Sequence, residues 1–566
     1  MAEGIMYVDN IRVEYDGEPN VLEVCRKAGV EMPNFCFHSD LSVYGACRMC
    51  MVEEEGTGRI DAACTMQPKN GLRIRTNTAR LLKYRRMIIE LLLSAHCRDC
   101  TTCEKNRACR LQEMAVRFGI HHVRFDDTRE HVPMDLTSPA VTFDLNKCIL
   151  CGDCVRVCTE VQGVKNLHFA GRGPGLHIAT TDGLPLGQTH CVSCGQCSAV
   201  CTTGAITVKN QIGEAWKALQ DPEKRVVIQI APAVRVAIGE AYGLPAGENV
   251  LDKLVTALKI MGADEVYDTI FGADLTVREE SQEFLRRLEA GEGLPLMTSC
   301  CPAWVKYVEN ERPQFLKNLS TARSPMQMFA SVLKENYRQK DASDGRTTYH
   351  IAIMPCTAKK MEARRAEFRD RHGVPYVDLV LTTQEVVQMM KESGIRFQLL
   401  EKESPDLPYG MGSGAAEIFG TTGGVAEAVV RCCLSDKSKN ALRMLEHSGL
   451  RGSEPIRFAS IPIGGRNVRF AVVHGLANAS KLLDQIERGE VEVDLVEVMS
   501  CRTGCVGGAG QPYALMNKKL QRAQGLYEID RSAMFKRSER NPVINAMYDA
   551  GLEQRAHELL HYDYSK

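Results

Sequence analysis

The spacing of hydrophobic and polar positions changes character along this chain. Residues 5–13 (IMYVDNIRV) alternate with a period near two and predict a strand. Asn20–Gly29 follows with Val21, Leu22, Val24 and Cys25 at helical spacing. A longer helix is predicted from Thr78 to about Ser94, with Leu81, Leu82, Met87, Ile88, Leu91 and Leu92 as its apolar face. From about Val226, short apolar runs alternate with helical segments. Val226–Ile230, His350–Met354, Val377–Leu381, Phe470–His474 and Asp494–Met499 read as buried strands, which suggests α/β layers. Apolar stretches such as Met87–Leu93 are too short to cross a bilayer, and MAEGIMYVDN does not resemble a signal peptide. A soluble, cytoplasmic protein is expected.

With 566 residues, the chain has room for several domains and a large core. A formal charge of -1 gives no reason to expect nucleic acid or membrane as a partner. The 24 cysteines decide the class. Disulfides belong to short secreted chains, and zinc needs one or two tetrahedral sites, so this many thiols points to iron–sulfur clusters.

Cys36, Cys47, Cys50 and Cys64 combine two outlying ligands with a Cys-x-x-Cys pair, similar to the plant-type [2Fe–2S] pattern with altered outer spacing. A zinc ribbon is the alternative for these four. His96 then precedes Cys100, Cys103 and Cys109, a set that lacks a fourth thiolate, so imidazole ligation of a [4Fe–4S] cluster is favoured. Cys97 is a competitor, poorly placed by its adjacency to His96. Cys148, Cys151, Cys154 and Cys158 form a C-x2-C-x2-C-x3-C run, and Cys191, Cys194, Cys197 and Cys201 repeat it. This is the two-cluster ferredoxin spacing, in which the fourth cysteine of each run serves the other cluster. Thr159 and Thr202 stand where that pattern has Pro. Four clusters in series make an electron wire, and a wire implies a buried terminus.

That terminus falls at the ends of predicted strands: Cys300–Cys301 after LPLM, Cys356 after HIAIM, and Cys501 and Cys505 after DLVEVM. The loops TSCCPAW, MPCTAKKME and EVMSCRTGCVGGAGQP resemble the three signature loops of the [FeFe]-hydrogenases. The cluster motifs in front follow the order of the large clostridial-type members. NPVINAMYDAG and AHELLHYDY resemble a segment that is a separate small subunit in some relatives. The resemblance implies that Cys301, Cys356, Cys501 and Cys505 hold a [4Fe–4S] cubane. Cys505 would bridge it to a di-iron subsite with CO, cyanide and azadithiolate ligands. It further implies that Lys359 donates to a cyanide, that Met354 and Met499 pack on the di-iron unit, and that Ala231–Pro232–Ala233 approaches it with backbone amides. Cys300 would pass protons to a relay of Glu280, Ser320, Glu283 and Arg287; Glu280, Glu283 and Arg287 share one helical face.

Arg502–Thr503, Ala509, Ala303 and Met326 depart from the commonest members and put rate and bias in question, not class. Rival readings are a sensory or cluster-assembly relative with low turnover, and an electron-transfer subunit of a quinone or NADH oxidoreductase. No Gly-rich phosphate loop opens a helix after a strand, which disfavours a flavin or nicotinamide site. Cys25, Cys97, Cys432 and Cys433 are expected to be buried structural thiols. The expected architecture is multidomain α/β. A β-grasp [2Fe–2S] domain (1–78), a [4Fe–4S] domain with one histidine and three cysteine ligands (79–135) and a two-cluster ferredoxin-like domain (136–212) lead to a catalytic domain (213–514) and a wrapping helical tail (515–566). Ferredoxin or flavodoxin is the expected electron carrier, with maturation proteins for the di-iron subsite.

Overall fold

In the computed structural model, residues 3–127 and 131–566 are described; residues 1–2 and 128–130, within the expected first and second domains, lie outside them. The chain divides into two compact units: 1–160 with 165–189 and 197–207, and 161–164 with 190–196 and 208–566.

The first unit opens with a five-stranded sheet. The stretch expected as one strand is instead a hairpin, Glu3–Val8 against Ile11–Asp16, paired antiparallel from Glu3↔Asp16 to Val8↔Ile11. Asp9 and Asn10 turn it with φ of 50° and 72°, the paired positive values of a tight hairpin turn. Both faces of the alternation survive, so the period alone hid the reversal. The helix Val21–Lys27 is capped by the Asn20 side chain on the Glu23 N–H and buries Val21, Leu22, Val24 and Cys25. The long helix runs Ala79–Ser94 with Thr78 as its cap. Its apolar face differs from expectation: Met87 and Leu91 are exposed, whereas Ile89 and Arg85 are buried. Arg85 is tolerated there because its guanidinium donates to the Met49, Thr76 and Met51 carbonyls at 3.0, 2.7 and 2.6 Å.

The second unit carries two four-stranded sheets. One is parallel throughout, in the order Glu265–Asp268, Lys224–Ile230, Thr347–Met354, Leu379–Thr382. Its central strands are buried along most of their length, Arg225, Gln229 and His350 included, and the last begins two residues later than expected. The other is ordered Leu296–Met297, Leu495–Met499, Arg466–His474, Ile456–Ile463. Ile456–Ile463 pairs antiparallel at the edge, and its burial alternates residue by residue because one face meets solvent. The helix Ile270–Ala290 follows the edge strand Glu265–Asp268 of the parallel sheet and ends at Gly291 in the left-handed conformation. Among the described residues no helix is long and apolar enough to cross a membrane.

Candidate active site

Four thiols reach one place from the carboxyl ends of strands in both sheets. Cys356 follows Thr347–Met354, Cys301 follows Leu296–Met297, and Cys501 and Cys505 follow Leu495–Met499. Local sequence prepares each sulfur for negative charge. Cys301 caps the helix Pro302–Glu311, where Pro302 needs no N–H partner, and the Ala303, Trp304 and Ser500 amides face its sulfur. The Ala358 and Lys359 amides, opening a short helix, face Cys356 in the same way. Thr503 and Gly504, with φ of 66° and 88°, turn the chain between Cys501 and Cys505.

Burial raises all four thiols, Cys356 to about 11. Beyond burial, the charges of Cys301 and Cys356 raise both Cys501 and Cys505. Four sulfurs that repel one another this way ionise together only around a cation, which is what iron–sulfur ligation supplies. Lys359 adds positive charge. Burial opposes its charge, yet Glu362 at 2.7 Å, with Cys356 and Cys300, holds it above its ordinary value; it also donates to the Cys300 carbonyl at 3.3 Å. Met354 and Met499 are buried, and Met499 packs in the apolar cluster that includes Cys300, Cys301 and Cys505. Ala231 and Pro232 leave the strand Lys224–Ile230 into a short helix. Its Arg235 is locked by Asp268 at 2.5 Å and Glu417 at 2.9 Å, and Gln511 donates to the Ala233 carbonyl at 2.7 Å.

Glu280, Glu283 and Arg287 line the helix Ile270–Ala290. Burial, reinforced by the Glu283 charge and opposed by a Ser320 hydrogen bond, pushes Glu280 to about 8, so at neutral pH it holds a proton. Its Oε2 is buried without a hydrogen-bond partner. Burial, then the Glu280 charge, pushes Cys300 well above its usual value, keeping it a thiol. Ser320 Oγ donates to Glu283 Oε2 at 3.1 Å, and Arg287 holds the other oxygen at 2.6 Å. Arg287 also donates to the Gly293, Lys317 and Leu319 carbonyls at 2.9, 3.1 and 3.1 Å. It therefore anchors Glu283; a guanidinium does not release its own proton.

Sequence reasoning missed several neighbours. Thr321 donates to Glu283 Oε2 at 3.0 Å and meets His561 Nδ1 at 2.9 Å, while His561 Nε2 meets Glu279 at 2.8 Å. Glu497 lies fully buried between the Gly423 and Ala426 amides at 2.5 and 2.8 Å, and its charge reaches Cys300 and Cys505. A glutamate inside the apolar run LVEVM was the available signal. The segment 190–196 is also held against the catalytic loops. Thr357 donates to the Ser193 carbonyl at 2.9 Å, and Gln196 Nε2 donates to Cys501 Sγ at 3.2 Å. A Cβ on Gly195 would lie 2.3 Å from Thr357 Oγ1, so only glycine fits there.

In the first unit, Cys36 shares a hydrogen bond with Cys47 and Cys50 with Cys64, which brings Cys47 and Cys50 to about 7. His96 is buried, and Cys109, raised by burial, also feels the charges of Cys103 and Cys100. Cys148, Cys151, Cys154 and Cys201 line one cavity. Three amides, of Lys165, Asn166 and Leu167, face Cys158. Cys158 and Cys197 belong to the first unit, Cys191 and Cys194 to the second. The two runs share a backbone device: Leu150 and Ser193, at φ of 57° and 59°, each donate an amide to the first sulfur of their run at 3.4 Å. Of the leftover thiols only Cys25 is fully buried; Cys97 is half-buried and donates to Asp99 at 3.0 Å, and Cys432 donates to Glu539 at 2.9 Å. Cys433 is half-buried.

Residues 224–509 match the family described as iron only hydrogenase large subunit, C-terminal domain, and 516–566 match the iron hydrogenase small subunit. Residues 5–79 match a 2Fe-2S iron-sulfur cluster binding domain, and 85–124 the NADH-ubiquinone oxidoreductase-G iron-sulfur binding region. The NADP-reducing hydrogenase subunit HndD of Solidesulfovibrio fructosivorans is 38% identical over 564 residues, 96% of each chain. Iron hydrogenase 1 of Clostridium pasteurianum is 34% identical over 574 residues, 99% of each. The chain belongs to the [FeFe]-hydrogenases. It is an oxidoreductase acting on hydrogen, with 2Fe-2S, 4Fe-4S and hydrogenase catalytic clusters as its cofactors. A solved variant of the [FeFe]-hydrogenase HydA1 from Chlamydomonas reinhardtii superposes with a TM-score of 0.53 at 34% identity, covering 62% of this chain and 98% of that one.

Within this [FeFe]-hydrogenase, the residues expected to depart from the commonest members lie in the ligand loops or, for Met326, in the packed core. Thr503 occupies a left-handed position, φ 66°, that favours glycine. Ala303 opens the Cys301 helix and faces that sulfur with its amide. Met326 packs in the same apolar core as Met354. A Cβ on Gly195 would lie 3.0 Å from the Ala509 Cβ.

Proposed function

We propose that this hydrogenase interconverts H2 with protons and electrons at a six-iron centre held by Cys301, Cys356, Cys501 and Cys505. Its electrons arrive through one [2Fe–2S] and three [4Fe–4S] clusters. The observation that carries the reading is the meeting of four mutually repelling thiols beside a half-buried Cys300 and a protonated Glu280. When bound, the six-iron group supplies the site at which H2 is made or split. The protein positions it, excludes water and moves the proton. Cys300 passes the proton toward Glu280, Ser320 bridges to Glu283, and Arg287 keeps Glu283 oriented. Lys359, already charged and buried, offers its remaining donor capacity to the anionic ligands of the di-iron subsite. Ala231, Pro232, Met354 and Met499 shape that pocket.

The accessory sets are Cys36, Cys47, Cys50 and Cys64 for [2Fe–2S]; His96, Cys100, Cys103 and Cys109; Cys148, Cys151, Cys154 and Cys201; and Cys191, Cys194, Cys197 and Cys158. The domains divide near 78, 135, 212 and 514. A β-grasp module comes first, then the histidine-and-cysteine cluster module and the two-cluster ferredoxin-like module, and a tail comes last. A ferredoxin or flavodoxin in the cytoplasm is the carrier, and maturation proteins install the di-iron subsite. Infrared spectra of matured holoprotein test the reading: CO and CN stretching bands accompanied by H2 evolution from reduced viologen are expected. Matured protein without those bands would refute it.

A further inference from the structure

We propose that Gln196 is a positioning residue that sets the reduction potential of the catalytic cubane through a hydrogen bond to Cys501. The inference rests on the assignment of Cys501 as a cubane ligand. Gln196 is buried, and its Nε2 donates both to Cys501 Sγ at 3.2 Å and to the Gly507 carbonyl at 3.3 Å. Both acceptors fix the amide orientation. The reversed amide would set its carbonyl oxygen against a carbonyl and a sulfur, with no donor for either. One side chain thus clasps the loop on both sides of Cys505. An N–H directed at a ligand sulfur withdraws electron density and favours the more negative, reduced cluster, so it raises the potential.

The contact is not a by-product of packing residues 161–164 and 190–196 against the catalytic loops, because those segments have their own anchors. Gln162 and Ser500 exchange two hydrogen bonds, at 3.0 and 2.8 Å. Thr357 holds Ser193, and Asn310 donates to the His190 carbonyl at 2.9 Å. None of these reaches a sulfur of the quartet. The clasp also joins the stretch that carries Cys194 to Cys501.

Infrared spectroelectrochemistry of matured holoenzyme reads the effect, since adding an electron to the cubane changes back-donation to CO and shifts its bands. Gln196→Leu and Gln196→Met, the latter keeping an unbranched chain of similar length, should move the midpoint of that band shift to more negative potential. Gln162→Leu, which removes the bonds to Ser500 but no side-chain donor to a ligand sulfur, should leave the midpoint in place. An unchanged midpoint in both Gln196 variants, at full iron content, would overturn the proposal. So would an equal shift in Gln162→Leu, which would assign the effect to general packing of these loops. Absence of CO bands in the wild type would instead strike the six-iron reading on which the inference rests. Should leucine cost the cubane its iron, the methionine variant carries the measurement.

Discussion

Replacing Glu280 by glutamine should stabilise the fold and at the same time stop proton delivery. Burial raises this carboxyl from 4.5 to about 8. Below pH 4.5 it is protonated in both folded and unfolded chains, and its titration does not affect stability. Between pH 4.5 and about 8 the unfolded chain releases the proton and the folded one keeps it, so stability is lost as pH rises, by about 1.4 kcal/mol per unit. At pH 7, about 2.5 units above the unfolded value, the loss is about 3 kcal/mol, and it levels off above about pH 8. Glutamine has the shape of the protonated acid and does not ionise. Glu280→Gln should therefore gain about 3 kcal/mol at pH 7 and almost nothing at about pH 4.5. Both tryptophans lie in the second unit, Trp304 fully buried, so denaturant unfolding followed by their emission reports the relevant unit. A stability difference that stays flat from about pH 5 to about pH 7.5 would refute the buried-acid argument. Full H2 evolution by the variant would remove Glu280 from the relay.

Other substitutions separate the remaining roles. Cys300→Ala should keep the visible absorption of every cluster and lose about 100-fold or more in H2 evolution, the usual cost of removing a proton-transfer group. Thr503→Gly should relieve the left-handed strain and raise the urea midpoint by an amount equivalent to about 1 kcal/mol, with infrared bands unchanged. Arg85→Met leaves three buried carbonyls without donors and should cost the first unit about 3 kcal/mol, read as earlier loss of [2Fe–2S] absorption in urea.

The parts of the fold legible in the sequence were those with one dominant signal. Lys224–Ile230 and Leu495–Met499 are buried along nearly their whole length and mostly apolar, and such runs announce themselves. The repeated cysteine spacing was equally plain, because cluster geometry fixes it. What escaped depended on one residue or on contacts far along the chain. Asp9–Asn10 reverses a strand without breaking its alternation, so the hairpin was hidden. In the helix Ala79–Ser94, burial of Arg85 turned the inward face away from Met87 and Leu91, and only the three distant carbonyls explain it. Gln196, Glu497 and His561 lie near the site through separations of tens to hundreds of residues, which no local pattern encodes.

The C-terminal segment has a consequence for how the enzyme can be divided. Its backbone takes donors from Arg323 at the Glu558, Leu559 and His561 carbonyls, and its His561 hydrogen-bonds with Thr321 next to Glu283. Carried on the same polypeptide, that imidazole sits at a fixed, high effective concentration beside the relay. Cut near residue 515, the same contacts become an association equilibrium, and proton traffic past Glu283 would then vary with dilution.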